Sequence, residues 1–443
     1  MNKRTWDTYL YGKKECSCGR HHDCTIEKIL IEEGIFSKLP ALLKEYDYRN
    51  ICIISDKNTD KIAGGQICTD LVKAGFSCQK IVFRDEELIP DERTIGTLLI
   101  EIDPRCQLIL AVGSGTINDL CKFVSFKMHL DFWVIATSPS MDGYASNVAP
   151  LIVNHAKSTY EACLPKVILG DLDILCQAPL EMIAAGVGDI LGKYVCLTDW
   201  KMAHRITGEY YCGEVASLVR TSIQKVTANV DKVVSREKEA ISAIMEGLIL
   251  SGIAMSYVGN SRPASGSEHH LAHYWEMVSL LQGSHGALHG TKVGIAAVLS
   301  LRMYKKLREI KPDFTAGEQR HFDLETWKGD IRKAYGPAAD GVIALEEEAD
   351  KNQDSNVREC QERLEQYQEE LWGLIDDLPE AEMIEQILIS MNAPYHPSQI
   401  GVDKETLRNS ILYAKDLRNR FGLLQILFDV GLLEQMADEM IGE

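Results

Sequence analysis

The chain is short of positive charge. Its 443 residues carry 47 Lys and Arg against 65 Asp and Glu, a formal net charge of −18. That balance argues against nucleic acid and anionic membrane surfaces as partners. A local basic pocket in an acidic body still accommodates a small anion. No apolar run approaches the ~20 residues that a membrane span needs. The opening MNKRTWDTYLYGKKE has no apolar core, so no signal peptide is visible. The 13 cysteines, an odd number, follow no framework spacing. They exclude a disulfide-built secreted scaffold and suit the reduced thiols of a cytoplasm. Low-complexity tracts and internal repeats are also lacking. A soluble, cytoplasmic protein of two or three domains is expected.

What is present first is an alternating α/β pattern. A short continuous apolar run at 51–55 reads as a strand buried on both faces, and 78–83, 107–112 and 132–136 read as the second, third and fourth strands. Helical segments at 62–74 and 91–102 separate them, and 150–153 and 166–169 read as further strands. Strands linked by helices imply a parallel sheet with right-handed crossovers. After Pro179, well placed to start a helix, the periodicity turns helical. The expected organisation is an α/β domain over 1–178 and an all-α bundle over 179–443. Val357, Cys360, Leu364, Tyr367, Leu371 and Leu374 mark an amphipathic helix with an acidic solvated face. Arg418–Phe421 is expected to begin a last apolar helix.

Ligands on a parallel sheet bind at the C-terminal strand ends. Three loops leave such ends. Gly113-Ser-Gly115-Thr116-Ile117-Asn118-Asp119 leads into a helix, whose first amides face an anion once the glycines allow a tight turn. The motif is G-x-G-x-x-x-D, so an ordinary strand-to-helix turn is its plain alternative. Asp56 is an acceptor for ribose hydroxyls or simply the start of a turn. Thr137-Ser138-Pro139-Ser140-Met-Asp142-Gly-Tyr-Ala-Ser146 is hydroxyl-rich and suits a pyrophosphate and a polyol together, with a β-turn at Pro139 compatible with that use.

Five of the twelve histidines lie within residues 260–294. His269 and His273, at i and i+4, share one face of a helix. His289 follows in a Gly-flanked turn. Imidazoles from two elements need one more ligand to make a three-ligand metal site with an open position. Asp189, in Gly-Val-Gly-Asp, is the best third ligand. His270 and His285 read as packed or surface residues. Near the N-terminus, Cys16-Ser-Cys18-Gly-Arg-His-His22-Asp-Cys24 offers zinc-type ligands, but C-x-C is tighter than the usual pair and no second half follows. A hairpin turn containing Gly19 is the favoured reading.

With these residues laid out, the chain resembles the sn-glycerol-1-phosphate dehydrogenases, in particular their bacterial AraM-like branch, within the iron-alcohol-dehydrogenase and dehydroquinate-synthase-like superfamily. The resemblance runs from about residue 16 to about residue 432, and Ser261-Arg-Pro-Ala-Ser-Gly-Ser-Glu-His269 with His273 is its most specific piece. The CxCGxxH stretch also looks like that branch. The resemblance implies a Rossmann-like domain followed by a helical domain. It implies that Gly113, Gly115, Thr116, Ile117, Asn118 and Asp119 hold a pyrophosphate and that Asp56 lies on the adenosine side. Thr137, Ser138, Pro139, Ser140 and Ser146 are further dinucleotide contacts. Asp142 and His273 are substrate-side residues, and Asp189, His269 and His289 the ligands of one divalent metal. The reaction it implies is NAD(P)H reduction of dihydroxyacetone phosphate to sn-glycerol 1-phosphate. NAD is favoured over NADP because Asp56 repels a 2′-phosphate. The metal is zinc or nickel, with iron open, and the assembly a homodimer. Arg262, Lys193 and Lys292 are the candidate cations for the substrate phosphate. A polyol dehydrogenase and a non-catalytic binding protein are the alternatives; a dehydroquinate-synthase-like lyase fits less well, since that group places Glu where Asp189 stands.

Overall fold

Six parallel strands carry the N-terminal half of the computed structural model, which describes residue 10 and residues 14–153, 156–314 and 322–442. In chain order the strands are β1 (Lys14–Glu15), β2 (His21–His22), β3 (Lys28–Glu32), β4 (Asn50–Asp56), β5 (Ser77–Phe83), β6 (Leu108–Gly113), β7 (Asp131–Ala136), β8 (Val148–Val153), β9 (Ala156–Glu161) and β10 (Val167–Asp171). The sheet order is β3-β10-β7-β6-β4-β5. β6 is buried at every position, and Ile51–Ile54 of β4 are buried likewise. Such continuous apolar runs are what a parallel sheet covered on both faces requires. The chain moves from β4 outward to β5, then returns to place β6 on the other side of β4. This reversal is a topological switch point, where a crevice opens beyond the strand ends. Gly113 pairs with Ala136, so the loops after β6 and β7 leave at one level.

The run at 150–153 is a strand, but not of this sheet. β8 forms a separate antiparallel ladder with β9, with one isolated parallel bridge from Ile152 to Asp91, and β1 with β2 forms another ladder. Among the described residues no strand follows Asp171, as the helical periodicity predicts. The molecule forms two compact units, and they are interleaved along the chain. One comprises 1–190 and 217–261, the other 191–216 and 262–443. A cut at 178 thus separates strand-bearing from helical sequence, whereas compactness groups 179–190 and 217–261 with the sheet.

Three local expectations need correction. The helix Lys238–Val258 is long and apolar enough to cross a membrane, which no apolar run was expected to be. However, 78% of its apolar window is buried, and it is a core helix of the first unit. The acidic region is not one helix. It breaks at Asp350, in a left-handed conformation (φ 50°), and again at Tyr367. Finally, Arg418–Phe421 precede the last helices, which begin at Leu423 and Leu433.

The helical unit is built around a buried carboxylate. Asp199 Oδ2 accepts from Ser267 N and Ser267 Oγ, both at 2.7 Å. Asp199 Oδ1 accepts from Leu423 N at 3.0 Å and from the Tyr304 hydroxyl. Beside it Arg262 donates to Phe421 O at 2.5 Å and pairs with Glu209 at 3.0 Å. Each Asp199 oxygen therefore meets one backbone N–H and one hydroxyl. An amide there must turn its NH2 onto one of those N–H groups. Asp199→Asn is expected to destabilise the protein by about 3 kcal/mol or more, read as a lowered urea midpoint.

A second buried acid supplies a pH test. Burial pushes the Asp429 carboxyl up to about 8. Its Oδ1 accepts from Gln425 at 2.8 Å. The folded protein keeps the acid neutral while the unfolded chain ionises above its ordinary pKa. Asp429 thus weakens folding increasingly as pH rises through this window, on the order of 1.4 kcal/mol per pH unit. Asp429→Asn should match the parent near pH 4 and exceed it in denaturation midpoint at pH 8. An equal gap at both pH values contradicts this account.

Candidate active site

In the sheet unit, local chemistry explains the loops at the strand ends. Gly113 ends β6, and a Cβ there would meet Ile117 Cβ at 2.6 Å, so only glycine lets the helix Gly115–Met128 start so close to the strand. That helix buries Ile117, Leu120, Cys121 and Val124, the i, i+3, i+4, i+7 stripe that packs it on the sheet. Its opening is braced by hydroxyls. Ser114 Oγ lies 2.6 Å from Ser140 Oγ, and the Tyr144 hydroxyl donates to Ser138 O at 2.7 Å. Thr137 N donates to Gly113 O at 3.1 Å, which joins the two expected dinucleotide loops. Asn118 and Asp119 are buried, linked by a 3.1 Å bond from Asn118 Nδ2.

Asp56 sits at the end of β4 and caps a helical turn. Its Oδ1 accepts from Asn58 N at 2.7 Å and Thr59 N at 2.9 Å, and Asp56 N donates in return to Thr59 Oγ1 at 3.0 Å. This is a capping box.

Lys122, unremarked in the sequence, secures the 137–146 loop. Its fully buried ammonium donates to Gly143 O at 2.7 Å, Val148 O at 3.0 Å and Ser146 Oγ at 3.1 Å. Burial lowers its pKa, and Asp119 at 3.6 Å opposes that shift. Ser146 is therefore part of the clamp beneath the loop. In the same unit the helix Leu180–Leu191 brings in Asp189, fully buried. A Cβ on Gly186 would lie 1.9 Å from Pro139 O, so the glycine lets this helix touch the loop. Asp189 Oδ2 then accepts from Asp142 N at 3.1 Å, while Asp142 Oδ2 accepts from Ser251 Oγ at 2.9 Å.

The helical unit gathers the histidines. Helices Ser267–Leu281 and His289–Ile310 pack together. The ring centroids of His269, His273 and His289 stand 5.3–5.9 Å apart. Each ring presents Nδ1 to a buried carboxylate. His269 Nδ1 is 2.6 Å from Glu268 Oε1. His273 and His289 share Glu276, each at 2.9 Å, one on each oxygen. At His273 and His289 the Glu276 carboxylate on Nδ1 leaves Nε2 to face a ligand, as in metal-bound histidines. Burial, with Lys193 and the other two rings adding to it, holds His269 well below its usual pKa, in the neutral form that ligates metal. Burial and Asp199 push Glu268 up to about 8. His270 is buried, and that burial, with the charges of Arg420 and Lys351, holds its imidazole well below its usual pKa, while His285 lies in the loop before His289. Of the three cations considered for a phosphate, Arg262 is committed to the Asp199 network. Lys292 stays beside the rings, 3.4 Å from Glu276 Oε1, and Lys193 donates to Ala264 O at 3.0 Å.

The comparisons with known proteins agree with this architecture. Residues 30–179 match the family model described as iron-containing alcohol dehydrogenase. The chain is 32% identical over 438 residues to the glycerol-1-phosphate dehydrogenase (NAD(P)+) of Geobacillus thermodenitrificans, covering 98% of this chain and 100% of that one. The Bacillus subtilis protein of the same name is 30% identical over 405 residues, covering 91% of each. The chain belongs to the glycerol-1-phosphate dehydrogenase family. The family is one of NAD(P)-dependent oxidoreductases. Among solved structures, glycerol dehydrogenase from Schizosaccharomyces pombe is similar with a TM-score of 0.61 at 15% identity, covering 94% of this chain and 90% of that one. At such identity the likeness concerns the fold.

For this member of the glycerol-1-phosphate dehydrogenase family, Glu268 and Glu276, which hold the three imidazole Nδ1 atoms, are the residues that sequence reasoning passes over. The signal for Glu276 is its place three residues after His273, within reach on a helix. Glu276→Gln replaces one acceptor with a donor facing an imidazole Nδ1. It is expected to weaken divalent-ion affinity about 10–100-fold, measured by competition with a chromogenic chelator, with little change in helix content.

Proposed function

We propose that the protein is a metal-dependent sn-glycerol-1-phosphate dehydrogenase, which passes hydride reversibly between NAD(P)H and dihydroxyacetone phosphate. The observation that carries this reading is the set of three imidazoles whose Nδ1 atoms are held by buried carboxylates, in a chain alignable end to end with dehydrogenases of that name. Asp189, His269 and His289 would hold one divalent ion. Their donor set, one carboxylate and two imidazoles, suits zinc, nickel or iron. The bound ion supplies Lewis acidity towards the substrate carbonyl, which favours the negative charge that develops on oxygen.

The remaining work falls to the chain. Gly113–Asp119 and Thr137–Ser140 receive the dinucleotide at the strand ends, with the amides at the start of helix Gly115–Met128 turned to its pyrophosphate. Asp56 meets the adenosine ribose and disfavours a 2′-phosphate, so NAD is preferred to NADP. Hydride goes to the ketone carbon and one proton to its oxygen. His273, anchored through Nδ1 to Glu276, orients a substrate hydroxyl and relays that proton at Nε2. Asp142, anchored by Ser251, holds a second hydroxyl. Lys292 and Lys193 are the cations for the phosphate. The same reading takes the protein as a cytoplasmic homodimer.

The test is NADH oxidation by chelator-stripped protein resupplied with zinc, nickel or iron(II). Dihydroxyacetone phosphate should be reduced only with metal present, and much faster than dihydroxyacetone. Equal rates on both ketones would favour a polyol dehydrogenase. No oxidation with any metal would favour a non-catalytic binding protein.

A further inference from the structure

The N-terminal ladder carries chemistry that the dehydrogenase reading leaves unused. β1 and β2 pair antiparallel, Glu15 opposite His21 and Lys14 opposite His22. The turn between them closes with Gly19 N donating to Cys16 O at 3.0 Å, and Gly19 takes the left-handed conformation (φ 81°). The expected hairpin is therefore present. The tightness of C-x-C, however, does not keep its side chains apart. The ligand atoms of Cys16, Cys18 and His22 lie within 4.8 Å of one another.

We propose that Cys16, Cys18 and His22 form a second metal site, a structural one for zinc. Three observations support it. Cys18 Sγ stands 3.5 Å from His22 Nε2. A tetrahedral ion with Zn–S near 2.3 Å and Zn–N near 2.05 Å sets its sulfur and nitrogen about 3.6 Å apart, so the observed gap is the edge of such a tetrahedron. Next, His22 is buried and already oriented. Its Nδ1 is 3.1 Å from Tyr257 O, and its ring stacks on the Tyr257 ring at 5.1 Å. Nδ1–H donates to that carbonyl, which directs Nε2 to the thiols, as in zinc-bound histidines. Lastly, both cysteines are thiols, partly accessible, and joined to no disulfide. An S–H···N hydrogen bond alone would account for Cys18 and His22 but would give no reason for Cys16 to join them.

Binding would displace one proton from each thiol, leaving two thiolates and a neutral imidazole on a divalent ion. Soft thiolates separate this site from the Asp189, His269 and His289 set, which contains none. The ion would fasten the hairpin to the C-terminal end of the helix Lys238–Val258 through His22 and Tyr257. That same helix carries Ser251, the hydroxyl that anchors Asp142.

Cobalt(II) gives a selective test, because only a thiolate site yields a sulfur-to-cobalt charge-transfer band in the near ultraviolet. Added to the stripped full-length protein, cobalt should produce the band, saturating at one ion per chain, and zinc should abolish it. The C16S/C18S double variant should lack it. Absence of the band in the parent, or its persistence in that variant, overturns the proposal. A second measurement avoids substitution altogether. Zinc should suppress alkylation of Cys16 and Cys18 in the parent protein, read by mass spectrometry. Unchanged labelling of both with zinc present overturns the proposal equally. Neither readout involves turnover, so failure here is distinguishable from failure of the dehydrogenase reading.

Discussion

One carboxylate holds the helical unit in register. Asp199 accepts from the amide and hydroxyl of Ser267, from Leu423 N and from the Tyr304 hydroxyl. It thereby joins the first turn of the histidine helix, the helix that follows His289 and the last part of the chain. Ser267 begins the helix that presents Glu268, His269 and His273 in the next six residues. A negative charge against a helix N-terminus is favourable in itself. Here it also determines where the following imidazoles stand. The glycines at 266 and 422 are the cost of that closeness, since a Cβ on either would fall within 2.7 Å of Asp199 Oδ2.

A similar economy governs the sheet unit. The buried charges that shape its loops are tolerated because they have found partners. Lys122 satisfies the carbonyls of Gly143 and Val148 and the hydroxyl of Ser146, and so ties the loop to the start of β8. Asp142 is fixed from both sides, its amide by Asp189 and its carboxylate by Ser251. Polar side chains tie down the loop at the strand ends, while the apolar stripe of helix Gly115–Met128 supplies the cohesion beneath.

Much of this was legible in the sequence. Three strands, β4, β6 and β7, showed as continuous apolar runs because both their faces are covered, whereas β5, on the sheet edge, buries only Ile81 and Phe83. β3 did not, since KILIE on the sheet edge has only three apolar residues between two charges and buries only Ile29 and Ile31. β8 read as a strand, but nothing in its residues says that it leaves the parallel sheet for an antiparallel partner. The histidine cluster was visible through spacing, and the geometry puts His269 rather than His270 with its partners. Glu276 and Lys122 were not visible. A charged residue on an amphipathic helix is ordinarily on its wet face, and only packing reveals that these two point inward.

Asp56 has a consequence for redesigning the cofactor preference. Its Oδ1 accepts both amide hydrogens that start the turn after β4. The atom that would face a ribose thus belongs to a residue that also nucleates backbone structure. Exchanging it for a small apolar residue to admit a phosphorylated nucleotide would forfeit a cap worth about 1 kcal/mol. Serine or asparagine would remove the charge and keep an acceptor for those amides. Charge and capping are therefore separable at this position, but only along a narrow set of side chains.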